Sequence, residues 1–171
     1  MKIFSLLSLA FLLGAGVNAS DKAALEPIPV EDSAMSIAIK RTQFVTEHKP
    51  NPAAKYYMYL FTASWCSPCR ALMPKIIEEY PKMMVGRHME IILVSFDDTE
   101  DEARTYLRKY DAPFATVMYN VEPPHSLPGL PPDVNAIPHI IVVDSAGKFI
   151  YRGHGLRYSE WKQRTGGMTQ E

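Results

Sequence analysis

The stretch Phe61–Pro74, FTASWCSPCRALMP, decides how this chain is read. It holds the only two cysteines among 171 residues, Cys66 and Cys69, with Ser67 and Pro68 between them and Trp65 in front. Upstream, Lys55 to Thr62 (KYYMYLFT) is a continuous aromatic and aliphatic run, which suits a strand buried on both faces of a largely parallel sheet. Downstream, Leu72, Met73, Ile76, Ile77 and Tyr80 recur at helical spacing and give one apolar face. Ser64 to Cys69 is then the turn that opens a helix. Pro74 should kink that helix, and Pro81 should end it or kink it again.

A cysteine pair in this position is a staple, a metal clip or a reaction centre. As a staple it does little, because a bridge closing so short a loop barely constrains the unfolded chain. Structural zinc takes four ligands, and the chain has no second CxxC and no local histidine pair: His48, His88, His125, His139 and His154 are scattered. Covalent haem attachment wants a histidine directly after the second cysteine, where this chain has Arg70. Disulfide exchange needs an attacking thiolate and a second thiol within reach. If the helix begins near Cys66, that sulfur sits at the positive end of the helix dipole and its thiolate is favoured. Cys69, one turn further in, reaches it from behind.

Moving outward, Glu90 to Phe96 (EIILVSF) is a second apolar strand. Thr99 and Glu102 have capping-box spacing, and Ala103, Tyr106, Leu107 and Tyr110 form the inner stripe of the helix that follows. Strand alternating with helix argues for an α/β sheet with right-handed crossovers. Phe114 to Tyr119 reads as a short strand and Glu122 to Pro132 as a proline-rich loop. His139 to Asp144 and Lys148 to Arg152, joined by a turn ending at Gly147, read as an antiparallel hairpin. Tyr158 to Arg164 reads as a short closing helix, while Ser33 to Glu47 fits helix or strand equally. Tyr56, Tyr57 and Tyr59 are strand core and rim. Asp97 and Asp98 read as a helix-start cluster rather than a metal site.

The N-terminus has the form of a signal peptide over residues 1–19: Lys2 is basic, Ile3 to Leu13 is mostly apolar, and Val17-Asn18-Ala19 presents small residues for cleavage. An uncleaved anchor is the alternative, although a membrane span normally takes around 20 apolar residues. Residues 20–54 form a lead-in and 55–171 the single domain, long enough for one core. The protein is thus expected in an exported compartment, periplasmic or secreted, where disulfides persist, and without a stable membrane anchor after cleavage. A formal net charge of −1 and the lack of a basic stripe argue against nucleic acid. Such a surface suits protein or small-thiol partners.

With these residues in view, FTASWCSPCRALMP resembles the active-site segment of the thioredoxin superfamily. Together with EIILVSFDDTEDEARTYL and AIPHIIVVDSAGKFIYR, it is similar to the tryparedoxin and nucleoredoxin-like branch over Lys55 to Arg152. The resemblance implies a three-layer α/β/α fold with a central mixed sheet. It also implies Cys66 as nucleophile, Cys69 as resolving cysteine and a redox-active disulfide between them, supported by Trp65 and Pro68. Read alone, Pro138 is an ordinary proline at a strand start; the resemblance makes it cis, with Ile137 before it pairing an extended substrate segment.

Two departures narrow that reading. Thioredoxin proper carries a buried aspartate where this chain has Leu60, and thioredoxins serving cytochrome c maturation often carry a glutamate where it has Leu72. His139 stands where the family often has threonine. The resemblance implies an exported thiol:disulfide oxidoreductase, leaning towards reductase, without metal or other cofactor. Its partners would be disulfide-containing or dithiol proteins and a separate membrane or exported redox partner. The competing reading is a thioredoxin-like binding module whose CxxC holds a partner or metal and never turns over. A peroxide-reducing enzyme is a weaker third, since the threonine-to-cysteine spacing of peroxiredoxins is missing.

Overall fold

The structure, a computed structural model, describes residues 33–120, 127–155 and 160. The expected signal segment, the start of the proline-rich loop and nearly all of the closing helix lie outside the described residues. In chain order the elements are α1 (Ala34–Arg41), β1 (Tyr56–Thr62), α2 (Ser67–Arg87), β2 (Met89–Ser95), α3 (Glu100–Tyr110), β3 (Ala115–Met118), β4 (His139–Asp144) and β5 (Phe149–His154). The strands form one mixed sheet in the order β3-β2-β1-β4-β5. β1, β2 and β3 run parallel, and β4 and β5 are antiparallel additions on the other side of β1.

The central strands are sequestered as their composition requires. All seven residues of β2 are buried, and in β1 only Tyr56 is partly exposed. The crossovers from β1 to β2 and from β2 to β3 move across the sheet in one direction, so crossovers of one hand place α2 and α3 on one face. There Leu72, Met73, Ile76, Tyr80 and Met83 of α2 and Tyr106 and Leu107 of α3 pack on Met58, Leu60, Ile91, Leu93, Ile140 and Val142. The opposite face is covered by α1 and the loop before β4: Met35, Ala38, Ile39, Leu127 and Val134 pack on Tyr57, Tyr59, Phe61, Ile92, Val94, Ile141 and Val143. Period-two alternation in β1 thus sends Tyr57, Tyr59 and Phe61 to one layer and Tyr56, Met58 and Leu60 to the other.

Local signals set the ends of the elements. α1 settles the segment that fitted helix or strand, with Ser33 capping it by accepting from the Ser36 N–H. Thr99 and Glu102 form the reciprocal capping box expected of them, and Asp111 closes α3 in the left-handed region at φ 51°. α2 continues through both Pro74 and Pro81 to Arg87, so Pro81 does not end it. Burial of its Leu72–Met83 face against the sheet outweighs the hydrogen bonds those prolines forgo.

The twenty residues between β3 and β4 contain no strand or helix among those described. Their second half is pinned from below by two tyrosines. Tyr59 donates to the Pro128 carbonyl at 2.8 Å, and the Tyr119 oxygen accepts from the Val134 N–H at 2.9 Å. Burial leaves Tyr59 far harder to ionise than a free phenol, so it stays a donor at any physiological pH. Sequence alone shows a proline-rich connector here; the tyrosine anchors depend on the sheet.

Candidate active site

Cys66 and Cys69 stand at the C-terminal end of β1, where an apolar strand feeds a helix. Cys66 is the N-cap of α2, its backbone extended at φ −78° and ψ 108°, and its sulfur accepts from the Cys69 N–H at 3.3 Å. Pro68 follows in the first turn, where a proline has no hydrogen bond to lose. The two sulfurs are joined as a disulfide with Cα atoms 5.2 Å apart. Both are largely buried, packed with Ala63 against Phe96 and Ile137. Trp65, by contrast, is 61% exposed, so the bridge lies beside a protruding indole.

The loop before β4 meets the bridge from the other side. The Ile137–Pro138 peptide bond is cis, and the Ile137 carbonyl oxygen lies 3.9 Å from Cys66 Sγ. Pro138 in turn abuts the chain leaving β5: its carbonyl accepts from the Gly155 N–H at 2.7 Å. Thus Trp65, Cys66, Cys69, Pro68, Ile137 and Pro138, separated by up to 73 positions of sequence, meet at one edge of the sheet.

His139 follows Pro138 at the start of β4, opposite Phe61 of β1 and His154 of β5. Its ring meets Phe61 edge-on at 6.0 Å, and Nε2 is sealed from solvent without a hydrogen-bond partner. Burial lowers its pKa below the ordinary histidine value; Arg152 and His154 lower it further, and Asp133 opposes them. The imidazole is therefore neutral near pH 7.

Three contributors escaped the sequence reading. Phe96 and Tyr119 stack with ring centroids 4.2 Å apart, and Phe61 meets both edge-on, forming an aromatic floor. Asp97, expected to be a helix-start residue, is 97% buried and holds the loop that carries the cysteines. Its signal was available in part: it lies two residues beyond Ser95, which pairs with Thr62 at the end of β1. A polar side chain there emerges beside the motif. Leu60 and Leu72, the two departures from the thioredoxin pattern, are core residues beneath α2. Among the described residues no three His, Cys, Asp or Glu side chains gather to hold a metal ion.

This geometry defines a class, and comparison with known proteins agrees. The chain belongs to the family described as Thioredoxin-like, whose model matches residues 54–149. In particular it is similar to nucleoredoxin of Xenopus laevis, 34% identical over 98 residues that cover 57% of this chain and 23% of the relative. It is also similar to the thiol:disulfide interchange protein HelX of Rhodobacter capsulatus, 33% identical over 92 residues, covering 54% and 48%. The chain therefore spans about a quarter of the first and half of the second. Among solved structures, tryparedoxin from Trypanosoma brucei superposes with a TM-score of 0.53 at 26% identity, covering 67% of this chain and 78% of that one. The mixed sheet with its flanking helices is the thioredoxin-like fold.

Proposed function

We propose that this chain is a thiol:disulfide oxidoreductase acting on protein disulfides or dithiols. The observation that carries the reading is the Cys66–Cys69 bridge at the N-terminus of α2, with the Ile137 carbonyl oxygen 3.9 Å from Cys66 Sγ. In the reducing direction the Cys66 thiolate attacks one sulfur of a substrate disulfide. That S–S bond breaks, a mixed disulfide forms, and the departing substrate thiolate takes a proton from solvent. Cys69, as thiolate, then attacks Cys66 Sγ and releases the second substrate thiol. Two electrons pass from the Cys66–Cys69 dithiol to the substrate, and the bridge closes. The reverse sequence oxidises a dithiol.

Each neighbour has a part in this scheme. The helix N-terminus and the Cys69 N–H stabilise the developing Cys66 thiolate. Ile137 offers backbone next to cis Pro138 to an extended substrate segment, and Trp65 shields one flank of the mixed disulfide. Pro68 stiffens the turn, and with it we favour the reducing direction, which requires a separate redox partner to re-reduce the bridge. The basic, apolar and small-residue pattern of residues 1–19 supports export to a periplasmic or secreted location. N-terminal sequencing of the processed protein should then begin at Ser20; a retained Met1 on the exported chain would overturn cleavage.

The decisive experiment uses a small disulfide protein as substrate with dithiothreitol as electron source. Wild type should accelerate reduction, Cys66→Ser should lose it, and Cys69→Ser should accumulate a mixed disulfide visible on a non-reducing gel. A binding module would instead keep its partner in the Cys66→Ser, Cys69→Ser variant and show no acceleration in the wild type.

A further inference from the structure

The residue on which the cysteine loop hangs is held by hydrogen bonds to both its N–H and its carbonyl. Ser64 lies two residues before Cys66. Its N–H donates to Asp97 Oδ1 at 2.9 Å, and its carbonyl accepts from the Arg70 guanidinium, also at 2.9 Å. Asp97 is itself held: Oδ2 accepts from the Ser95 hydroxyl at 2.8 Å, and the Asp97 N–H donates back to Ser95 Oγ at 3.0 Å. Ser95 is fully buried at the end of β2. The grip therefore runs from the sheet interior through Asp97 to Ser64, and from α2 back through Arg70 to the same residue.

A carboxylate 97% buried is costly unless hydrogen bonds compensate it, and here one backbone N–H reaches Oδ1 and one hydroxyl reaches Oδ2. α3 makes no use of that cost, because Thr99 and Glu102 already cap the helix. What the buried carboxylate does hold is the loop leading to Trp65 and Cys66. That loop must deliver Cys66 in the extended N-cap conformation for its sulfur to meet the Cys69 N–H.

We propose that Asp97 is a positioning residue for disulfide exchange: with Arg70 it clamps the two sides of Ser64 and so holds Cys66 Sγ at the N-terminus of α2. This inference rests on the oxidoreductase reading. With the clamp open, Cys66 leaves its N-cap geometry part of the time, the thiolate loses the Cys69 N–H, and nucleophilicity near neutral pH falls. The carboxylate's role is its acceptor geometry, so asparagine, with one amide oxygen for Ser64 and an NH₂ for Ser95 Oγ, retains most of it.

The test reads the loop without any substrate protein. Reduced protein is alkylated with iodoacetamide across a pH series, and the Cys66 adduct is followed by mass spectrometry. Asp97→Ala should slow alkylation at pH 7 by about fivefold or more, the scale of one N-cap hydrogen bond. Asp97→Asn should stay within about twofold of wild type on the same scale. Leu107→Ala, which opens the core under α3 without touching Ser64, serves as the destabilised control and should leave the profile unchanged. Equal profiles for Asp97→Ala and wild type, or equal slowing in Leu107→Ala, would overturn the proposal. In case Asp97→Ala does not fold, hydrogen exchange on the wild type decides: the Ser64 amide should be protected well above the exposed Ser67 amide, and equal exchange of the two overturns the clamp. A protein with the expected alkylation profile and no disulfide exchange would refute the oxidoreductase reading and leave the clamp standing.

Discussion

At the scale of single residues, His139 is the position where chemistry and packing are most tightly joined. It follows cis Pro138, meets Phe61 edge-on, and faces His154 and Arg152 of β5 and Asp133 of the preceding loop. Because burial lowers its pKa, the unfolded chain binds a proton there more readily than the folded one. Stability from this residue is therefore complete above about pH 6.5, the ordinary histidine value, and is lost as pH falls below it. Wild type should lose thermal stability between neutral and mildly acidic pH more steeply than His139→Thr, measured as Tm at fixed ionic strength. Parallel pH dependences in the two proteins would show that the imidazole is not the titrating group. Tyr106 presents the opposite case. Its hydroxyl lies 3.3 Å from Thr62 Oγ1 behind the cysteine loop, and burial pushes its pKa up to about 12. It stays neutral throughout the physiological range.

At the scale of elements, the site depends on how closely the chain leaving β5 passes the cis peptide. A Cβ added at Gly155 would sit 2.8 Å from Pro138 Cβ and 3.0 Å from Leu72 Cδ2, so three elements converge on a volume that only glycine leaves free. Gly155→Ala should push Pro138 and α2 apart, destabilise by about 1–3 kcal/mol as overpacking does, and lower the rate of disulfide exchange. Urea titration and the reduction assay check the two halves of that statement separately. Unchanged stability and rate would mean that the β5 exit is free to move away. The hairpin preceding Gly155 is built on a similar economy. Asp144 Oδ1 accepts from both the Ala146 and Lys148 N–H groups, and Gly147 takes φ 84°, where a side chain would be strained.

At the scale of the whole molecule, the sheet separates stability from chemistry. The core beneath α2 and α3 lies away from the cysteines and includes Tyr80 and Phe114, edge to face at 5.1 Å. Phe114 is fully buried, and Phe114→Ala should cost about 3–5 kcal/mol in urea unfolding. The reactivity of Cys66 in the protein that remains folded should be close to wild type. A large fall in that reactivity would mean that the core and the cysteine loop move together. The cysteine pair lies instead at the C-terminal ends of the parallel strands. There the ladder is continued by the Phe96 N–H on the Thr62 carbonyl and the Tyr119 N–H on the Ser95 carbonyl, which bring the aromatic floor beneath the bridge.

Much of this was legible in the chain itself, because the decisive signals are local. Aliphatic and aromatic runs marked β1, β2 and β4, helical spacing marked α2 and α3, and Thr99 with Glu102 marked a helix start, each through interactions within a few residues. The same locality limited the reading at Ser33–Glu47 and at Pro81. A short segment becomes α1, and α2 passes its second proline, only because a sheet face is there to bury them. The sequence by itself thus determined the strand and helix order from β1 onward and the CxxC at a strand-to-helix turn. Only the tertiary structure decided that Asp97 grips Ser64, that Tyr59 and Tyr119 anchor the proline-rich loop, and that Ile137 faces Cys66. Those contacts join residues 15 to 71 positions apart, and contacts of that reach exist only once the strands have paired and fixed the register that brings them together.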